Sequence, residues 1–144
     1  MTTATTETTI ASVRAIYEAF GRGDVPAILE RLAPDVRWDA PELSDAAQDA
    51  GVPWLMPRRG PEEAGEFFGI LADAMTFNDF QVRELIGSAD KVAAEILLDV
   101  TMEASGTRIV SDEVHVWAFD EDGRVASFRH YVDTAKHIAA AGLA

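Results

Sequence analysis

Two of the three histidines and one glutamate are the side chains best suited to chemistry in this sequence of 144 residues. Glu113 lies two residues before His115, and residues two apart in a strand share a face. His130 falls in the next predicted strand and can share that face. A carboxylate beside an imidazole fixes the tautomer of the ring and raises its pKa. We therefore predict that Glu113, His115 and His130 act as a general acid–base cluster, and that His137 is exposed.

Other kinds of site have less support in the sequence. Two histidines and a glutamate can ligate a metal, but the sequence has no His-x-His or His-x-x-x-His spacing. No glycine-rich phosphate loop follows a strand, and there is no Gly-x-Ser-x-Gly elbow. The absence of cysteine excludes disulfides and thiolate chemistry. We predict no metal and no cofactor.

The charge of the chain argues against two classes of partner. The net charge is −13, and the acidic residues are spread along the sequence. Such a protein is repelled by nucleic acid and by anionic membrane surfaces. No apolar run reaches the length of a membrane span, and residues 1–9 contain neither a basic nor an apolar leader segment. We expect one cytoplasmic domain over residues 1–144 with neither a nucleic-acid nor a membrane partner.

The first part of the chain is predicted to be mainly helical. Apolar residues recur at helical spacing from about residue 8 to residue 22. Asp24 is a suitable N-cap for a short second helix, and Pro34 is predicted to stop it. Residues 36–40 alternate in polarity and predict a short strand.

The spacing of the apolar residues changes further along the chain. Residues 42–59 predict a long irregular loop with an apolar patch, and such loops often act as lids. Gly60-Pro61-Glu62-Glu63 predicts the start of a third helix. Alternation with period two then predicts four strands near 79–87, 91–103, 107–119 and 124–133. Asp133 is expected to cap a short C-terminal helix. Helices followed by an antiparallel meander predict an α+β fold.

Several motifs spread over nearly the whole chain resemble the NTF2-like superfamily, and its SnoaL-like members in particular. They are Tyr17-x-x-Phe20 with Gly23-Asp24, Ala33-Pro34-Asp35-Val36-x-Trp38, Gly60-Pro61-Glu62-Glu63 with Phe67-Phe68, and Trp117-x-Phe119-x-x-x-Gly123-Arg124-Val125 leading into Phe128-Arg129-His130-Tyr131-Val132-Asp133. The resemblance implies a cone-shaped domain with three N-terminal helices packed on a curved, mainly antiparallel sheet. That fold hosts isomerases, cyclases, dehydratases, epoxide hydrolases and plain binding proteins.

Laid over the steroid isomerases of that superfamily, the Asp120–Gly123 hairpin sets the register of the last two strands. The resemblance then implies which side chains face the pocket. These are Ser111, Glu113 and His115 on one strand and Phe128, His130 and Val132 on the next. Alternation along the preceding strand independently predicts an inward apolar set of Ile96, Leu98, Val100 and Met102.

The catalytic residues of the steroid isomerases are not kept at the matching positions. Their helical Tyr, their Asp at the end of the first strand and their protonated Asp on the third long strand match Ile16, Ala40 and His115. Tyr17 and Asp39 lie one residue away, which turns a side chain by about 100° on a helix and moves it to the other face of a strand. Ordinary ketosteroid isomerase activity is therefore not expected.

Two other branches point to one position. Epoxide hydrolases like those acting on limonene use an Arg-x-Asp pair, where this chain has Ile96-Leu97-Leu98. They also place an Asp on the last strand, and SnoaL-type polyketide cyclases place an acid at what looks like the same position. The matching residue here is His130, and His can perform the same proton transfer.

The predicted pocket walls are apolar and suit a small, ring-bearing, apolar molecule. The predicted wall residues are Tyr17, Phe20, Trp38, Trp54, Phe67, Leu98, Val100, Met102, Trp117, Phe128 and Val132. One hypothesis is a cofactor-free isomerase, cyclase, dehydratase or hydrolase, and another is a non-catalytic small-molecule binder. A third, a protein-interaction module, rests only on the acid-rich segment 42–49. Apolar outer residues such as Val114 and Val116 predict a homodimer.

Overall fold

The computed structural model describes residues 5–41 and 45–143. The helices are α1 (Thr6–Gly21), α2 (Val25–Leu29), α3 (Ala46–Ala50), α4 (Gly60–Ala74) and α5 (Thr134–Ala140), with a 3-10 turn at Pro53–Leu55. The strands are β1 (Leu32–Trp38), β2 (Arg58–Arg59), β3 (Met75–Gly87), β4 (Lys91–Met102), β5 (Arg108–Phe119) and β6 (Val125–Tyr131). None of the described helices is both long and apolar enough to cross a membrane.

The strands form one sheet in the order β2-β1-β6-β5-β4-β3. Every neighbouring pair is antiparallel except β1 and β6, which run parallel. The predicted α+β fold, with helices on a curved and mainly antiparallel sheet, is confirmed. The long helices α1 and α4 cover one face of this sheet, and the apolar core lies between them and the strands.

The four predicted strands and their hairpins are present with small changes in their ends. The predicted inward residues of β4 are buried, with exposed fractions of 1% for Ile96, 6% for Leu98, 2% for Val100 and 4% for Met102. Alternation succeeds here because one face of β4 meets the helices and the other does not.

The segment between β1 and α4 differs from the prediction. Among residues 45–59, the predicted irregular loop contains α3, the 3-10 turn and β2, while residues 42–44 lie outside the described part of the chain. Asp45 caps α3 by accepting hydrogen bonds from the backbone N–H groups of Ala47 and Gln48. The sequence features that predicted a loop were prolines and a glycine, and these residues lie at the ends of the short elements.

The boundary between α2 and β1 also differs. Asp24 caps α2 as predicted, but α2 ends at Leu29 rather than at Pro34. Pro34 lies inside β1, where the register with β6 shifts between Leu32 and Arg37. A proline is tolerated in a strand at such an irregularity, since no ladder hydrogen bond is required of it there.

Candidate active site

β5 and β6 bring the predicted histidines together. His115 and His130 are register partners on these antiparallel strands, and their ring centroids lie 4.9 Å apart. Trp117 and Phe128 are the next inward pair along the same two strands, with centroids 4.4 Å apart. The imidazoles therefore lie against an aromatic floor.

Asp39 is the hydrogen-bond partner of His130, although strand alternation predicted that its side chain points away from the site. Its Oδ2 lies 2.7 Å from Nδ1 of His130, and its Oδ1 accepts the backbone N–H of His130 at 2.8 Å. Asp39 is the only non-glycine residue of the described chain with a positive φ, 52°. The strand has ended at Trp38, so the left-handed conformation lets Trp38 and Asp39 both turn inward.

A second carboxylate–imidazole pair lies on β5. Oε2 of Glu113 is 2.6 Å from Nε2 of His115, and both side chains are buried, with 4% and 7% exposed. At the other ring nitrogen, Nδ1 of His115 lies 2.7 Å from the Tyr17 hydroxyl. The indole N–H of Trp117 donates to that hydroxyl oxygen at 3.0 Å.

These contacts indicate where the protons of Tyr17 and His115 lie. Because Trp117 already donates to the Tyr17 oxygen, the Tyr17 hydroxyl can donate its own proton to Nδ1 of His115. Neutral His115 then carries its proton on Nε2 and donates it to the Glu113 carboxylate. Burial raises the pKa of Tyr17 far above its ordinary value, which keeps the phenol neutral.

The pKa values of the two imidazoles are shifted in opposite directions. Burial lowers the pKa of His115, and the nearby Glu113 only partly offsets this effect. Burial also acts to lower the pKa of His130, but the charge of Asp39 and the hydrogen bond to it outweigh burial, so the pKa of His130 is raised. Burial raises the pKa of Glu113, yet the hydrogen bond from His115 and the nearby imidazoles lower it to about 2. Near neutral pH, the Glu113 carboxylate is therefore ionised.

His137 belongs to the cluster, so the prediction that it is exposed was wrong. The α5 helix packs over the site, and His137 is only 6% exposed. The indole N–H of Trp54 donates to Nδ1 of His137 at 2.9 Å, which leaves its proton on Nε2. That Nε2 lies 3.7 Å from Oε1 of Glu113. Burial lowers the pKa of His137 and favours the neutral ring.

The cluster borders a cavity of about 60 Å³. Of the predicted residues, the walls include Glu113, His115, His130, Tyr17, Phe20, Trp38, Trp54, Phe67, Leu98, Trp117 and Phe128. Residues that sequence reasoning did not select also line it, namely Ile16, Ile28, Phe68, Leu71, Met75, Phe77, Phe80 and His137. Helical periodicity marks most of these as apolar-face residues but does not say which of them border a space.

Three of the predicted wall residues lie elsewhere. Val100 and Met102 pair with Phe77 and Met75 of β3 and pack in the core beyond the cavity. Val132 follows the end of β6 and borders a different cleft, beside Asp39 and Asp45. The strand has ended before Val132, so alternation no longer sets its direction.

The donor atoms could in principle hold a metal. Glu113, His115 and His130 each offer one atom within 4.8 Å of the others. However, Nε2 of His115 is already bonded to Glu113, and Nδ1 of His130 is bonded to Asp39. A metal would have to displace the first of these bonds, whereas proton transfer uses the cluster as it stands.

Comparisons with known proteins agree with this architecture. The SnoaL-like domain family matches residues 13–128. An NTF2-like protein of unknown function from Burkholderia pseudomallei is 30% identical, with a TM-score of 0.75 over 92% of this chain and 95% of that one. TerC, co-crystallised with polyporic acid, is 25% identical, with a TM-score of 0.74 over 94% and 98%. No curated protein matches the sequence.

Proposed function

Since the chain belongs to the SnoaL-like domain family of the NTF2-like superfamily, we propose that it is a small-molecule enzyme that transfers protons within its apolar cavity. The reaction class is isomerisation, cyclisation, dehydration or hydrolysis of a ring-bearing, mostly apolar substrate, without a cofactor. The observation that carries the proposal is the pairing of Asp39 with His130 and of Glu113 with His115, because both imidazoles border one cavity.

His130 is the proposed proton-transfer group. Asp39 holds its Nδ1, and no described residue makes a hydrogen bond to its Nε2, which leaves that nitrogen for a substrate. The carboxylates of Asp39 and Glu113 both favour the imidazolium form of His130, so they stabilise the charge that forms when the ring takes a proton.

His115 is the neutral ring that supports this transfer. Its pKa is lowered, and both of its ring nitrogens are bonded, one to Tyr17 and the other to Glu113. The pKa of His130 is raised and its Nε2 faces the substrate in this proposal, so the same nitrogen takes a proton at one position of a substrate and returns it at another.

A generic probe tests this before the substrate is known. In 5-nitrobenzisoxazole, a base removes the ring C–H proton, the C–H electrons form the nitrile, and the N–O bond breaks to give a coloured phenolate. We expect the protein to accelerate this reaction with a rate that rises as pH passes through the pKa of His130, because the base must be unprotonated.

The variant His130→Ala is expected to lose about 100-fold of that rate, the usual contribution of a positioned base. Tyr131→Phe is the matched control, because Tyr131 is the adjacent residue and is 52% exposed. Retention of more than half of the rate in His130→Ala would remove the proposed role of this residue.

A non-catalytic binding protein is the second candidate. It is favoured by the fact that both ring nitrogens of His115 are satisfied by internal partners, Tyr17 and Glu113. A cluster satisfied in this way can simply stabilise the fold around a ligand cavity. Saturable ligand binding, with no proton transfer to or from any bound probe, would support this alternative.

A further inference from the structure

The cavity is small for the ligand class proposed above. Its volume is about 60 Å³, whereas an engineered cavity that holds a benzene molecule has about 150 Å³. A ring-bearing ligand therefore enters only if some of the wall moves. The part of the wall that can move with least loss of packing is the part that is least buried.

A much larger space lies directly behind one wall of the cavity. An open groove of about 880 Å³ runs between α1, α4 and the edge strand β3. The groove and the cavity share six wall residues, Tyr17, Phe20, Phe68, Leu71, Phe77 and Phe80. These six residues, here called the aromatic partition, separate the two spaces.

The aromatic partition is built from half-buried side chains. Phe20 is its centre, with ring centroids 5.1 Å from Phe80 and 5.4 Å from Phe77. By contrast, Phe67 and Phe128 on the far side of the cavity are each only 3% exposed. Rotation of the partition side chains would consequently disturb less of the core than movement of the opposite wall.

The strand that carries two of these rings lies at an edge of the sheet and is irregular. β3 is the outermost strand on its side of the sheet, and its register with β4 shifts between Phe77 and Asp79 and again between Val82 and Glu84. Both irregularities flank Phe80, whose ring centroid lies 6.4 Å from that of His115. The partition therefore stands directly between the groove and the acid–base cluster.

We propose that the groove is the outer half of the ligand site and that the protein binds an elongated apolar molecule of two or more rings. One ring passes the aromatic partition and meets the histidines, and the rest of the molecule lies in the groove against α1, α4 and β3. This inference rests on the proposed function in taking the cavity as the reacting end of the site. It adds the length of the substrate and the face by which it enters.

Two probes of different length test the proposal by equilibrium binding, with no turnover required. Phenol has one ring, and 4-phenylphenol has two rings in line. We expect 4-phenylphenol to bind the wild-type protein at least about tenfold more tightly than phenol, because the second ring removes further apolar surface from water in the groove. Its amide NMR shifts should extend to residues that line the groove but not the cavity, such as Arg14, Glu18 and Val82, whereas those of phenol should not.

A matched pair of variants on α4 separates the groove from the cavity. Ala72 lines the groove but not the cavity and is exposed, so Ala72→Trp fills part of the groove. Asp73 is its exposed neighbour and does not line the groove, so Asp73→Trp is the control. Ala72→Trp should weaken 4-phenylphenol binding about tenfold and leave phenol within about twofold, and Asp73→Trp should change neither.

Three outcomes would overturn the outer half of the site. These are equal affinity of the two probes for the wild-type protein, equal weakening of both by Ala72→Trp, and no effect of that variant on 4-phenylphenol. The proposed function fails separately, through the rate measured with His130→Ala.

Discussion

At the scale of single residues, the carboxylate of Asp39 has two effects on His130. It accepts both the backbone N–H and the Nδ1 side of the ring, so it fixes where the imidazole lies and which nitrogen faces the cavity. It also supplies the negative charge that raises the pKa of His130 against the effect of burial. Orientation and proton affinity therefore depend on the same side chain.

Asp39→Asn is expected to lower the pKa of His130 below that of the wild type, because burial is then opposed by a neutral amide. A histidine NMR titration measures this directly. The wild-type pair adds stability that is fully present below the unfolded pKa of about 6.5 and is lost as pH rises through the raised folded pKa. The difference in melting temperature between wild type and variant should therefore shrink at alkaline pH. An unchanged titration of His130 would contradict this account.

Three features of the site were not predicted from the sequence: the Asp39–His130 contact, the Tyr17–His115 contact and the burial of His137. The pairing of His115 with His130 followed from strand alternation and a hairpin that fixed the register. Asp39 lies one residue from the matched position and was expected to turn away from the site, whereas Tyr17 was predicted as a wall residue. Tyr17 lines the cavity together with Ile16, since one face of a helix covers more than one direction. Asp39 lies past the end of β1, where alternation no longer applies.

At the scale of elements, α5 and the 3-10 turn supply a part of the cavity wall that does not border the groove. Trp54 of the turn and His137 of α5 are joined by a buried hydrogen bond. A Trp within a polar, proline-containing segment was a usable signal, since a buried indole N–H requires an acceptor. The sequence did not identify that acceptor, because a contact between residues 83 positions apart depends on how separate elements pack.

Another contact between elements joins α1 to the β3–β4 turn. A Cβ added at Gly87, at the end of β3, would lie 3.1 Å from Cγ1 of Ile10 on α1 and 3.2 Å from Cγ2 of Val92 on β4. This glycine therefore allows α1 to approach the β3–β4 turn closely. The buried hydroxyl of Thr9 reinforces the contact by donating to the carbonyl of Ser88 at 2.7 Å.

Gly87→Ala is expected to lower the free energy of unfolding by about 1–3 kcal/mol, because the added methyl group overpacks the contact with α1. Gly69→Ala is the matched control. Gly69 lies inside α4, and a Cβ there meets nothing within 4 Å, so alanine should stabilise the helix by up to about 1 kcal/mol. Urea unfolding of both variants measures the two effects, and equal changes in the same direction would refute the argument.

At the scale of the whole molecule, the outer face of the sheet carries apolar side chains that the helices do not cover. Val110 and Tyr131 are 46% and 52% exposed, and Val114 is the register partner of Tyr131. Val116 of β5 lies on the same face, and the opposite face of β5 and β6 carries His115 and His130. We propose that a second copy of the chain covers this face, which would hold β5 and β6 rigid behind the histidines.

Sedimentation at micromolar concentration should show this homodimer in the wild-type protein. Val114→Asp should shift the population toward monomer, because it places a charge at the centre of the proposed interface. Val82→Asp is the control, since Val82 is 37% exposed on the edge strand β3 and is the register partner of Ile96, which places it on the inner face of the sheet. Two protomers that each carry a net charge of −13 repel one another, so added salt should strengthen the dimer. A wild-type monomer at all salt concentrations, or equal effects of the two variants, would contradict the proposed interface.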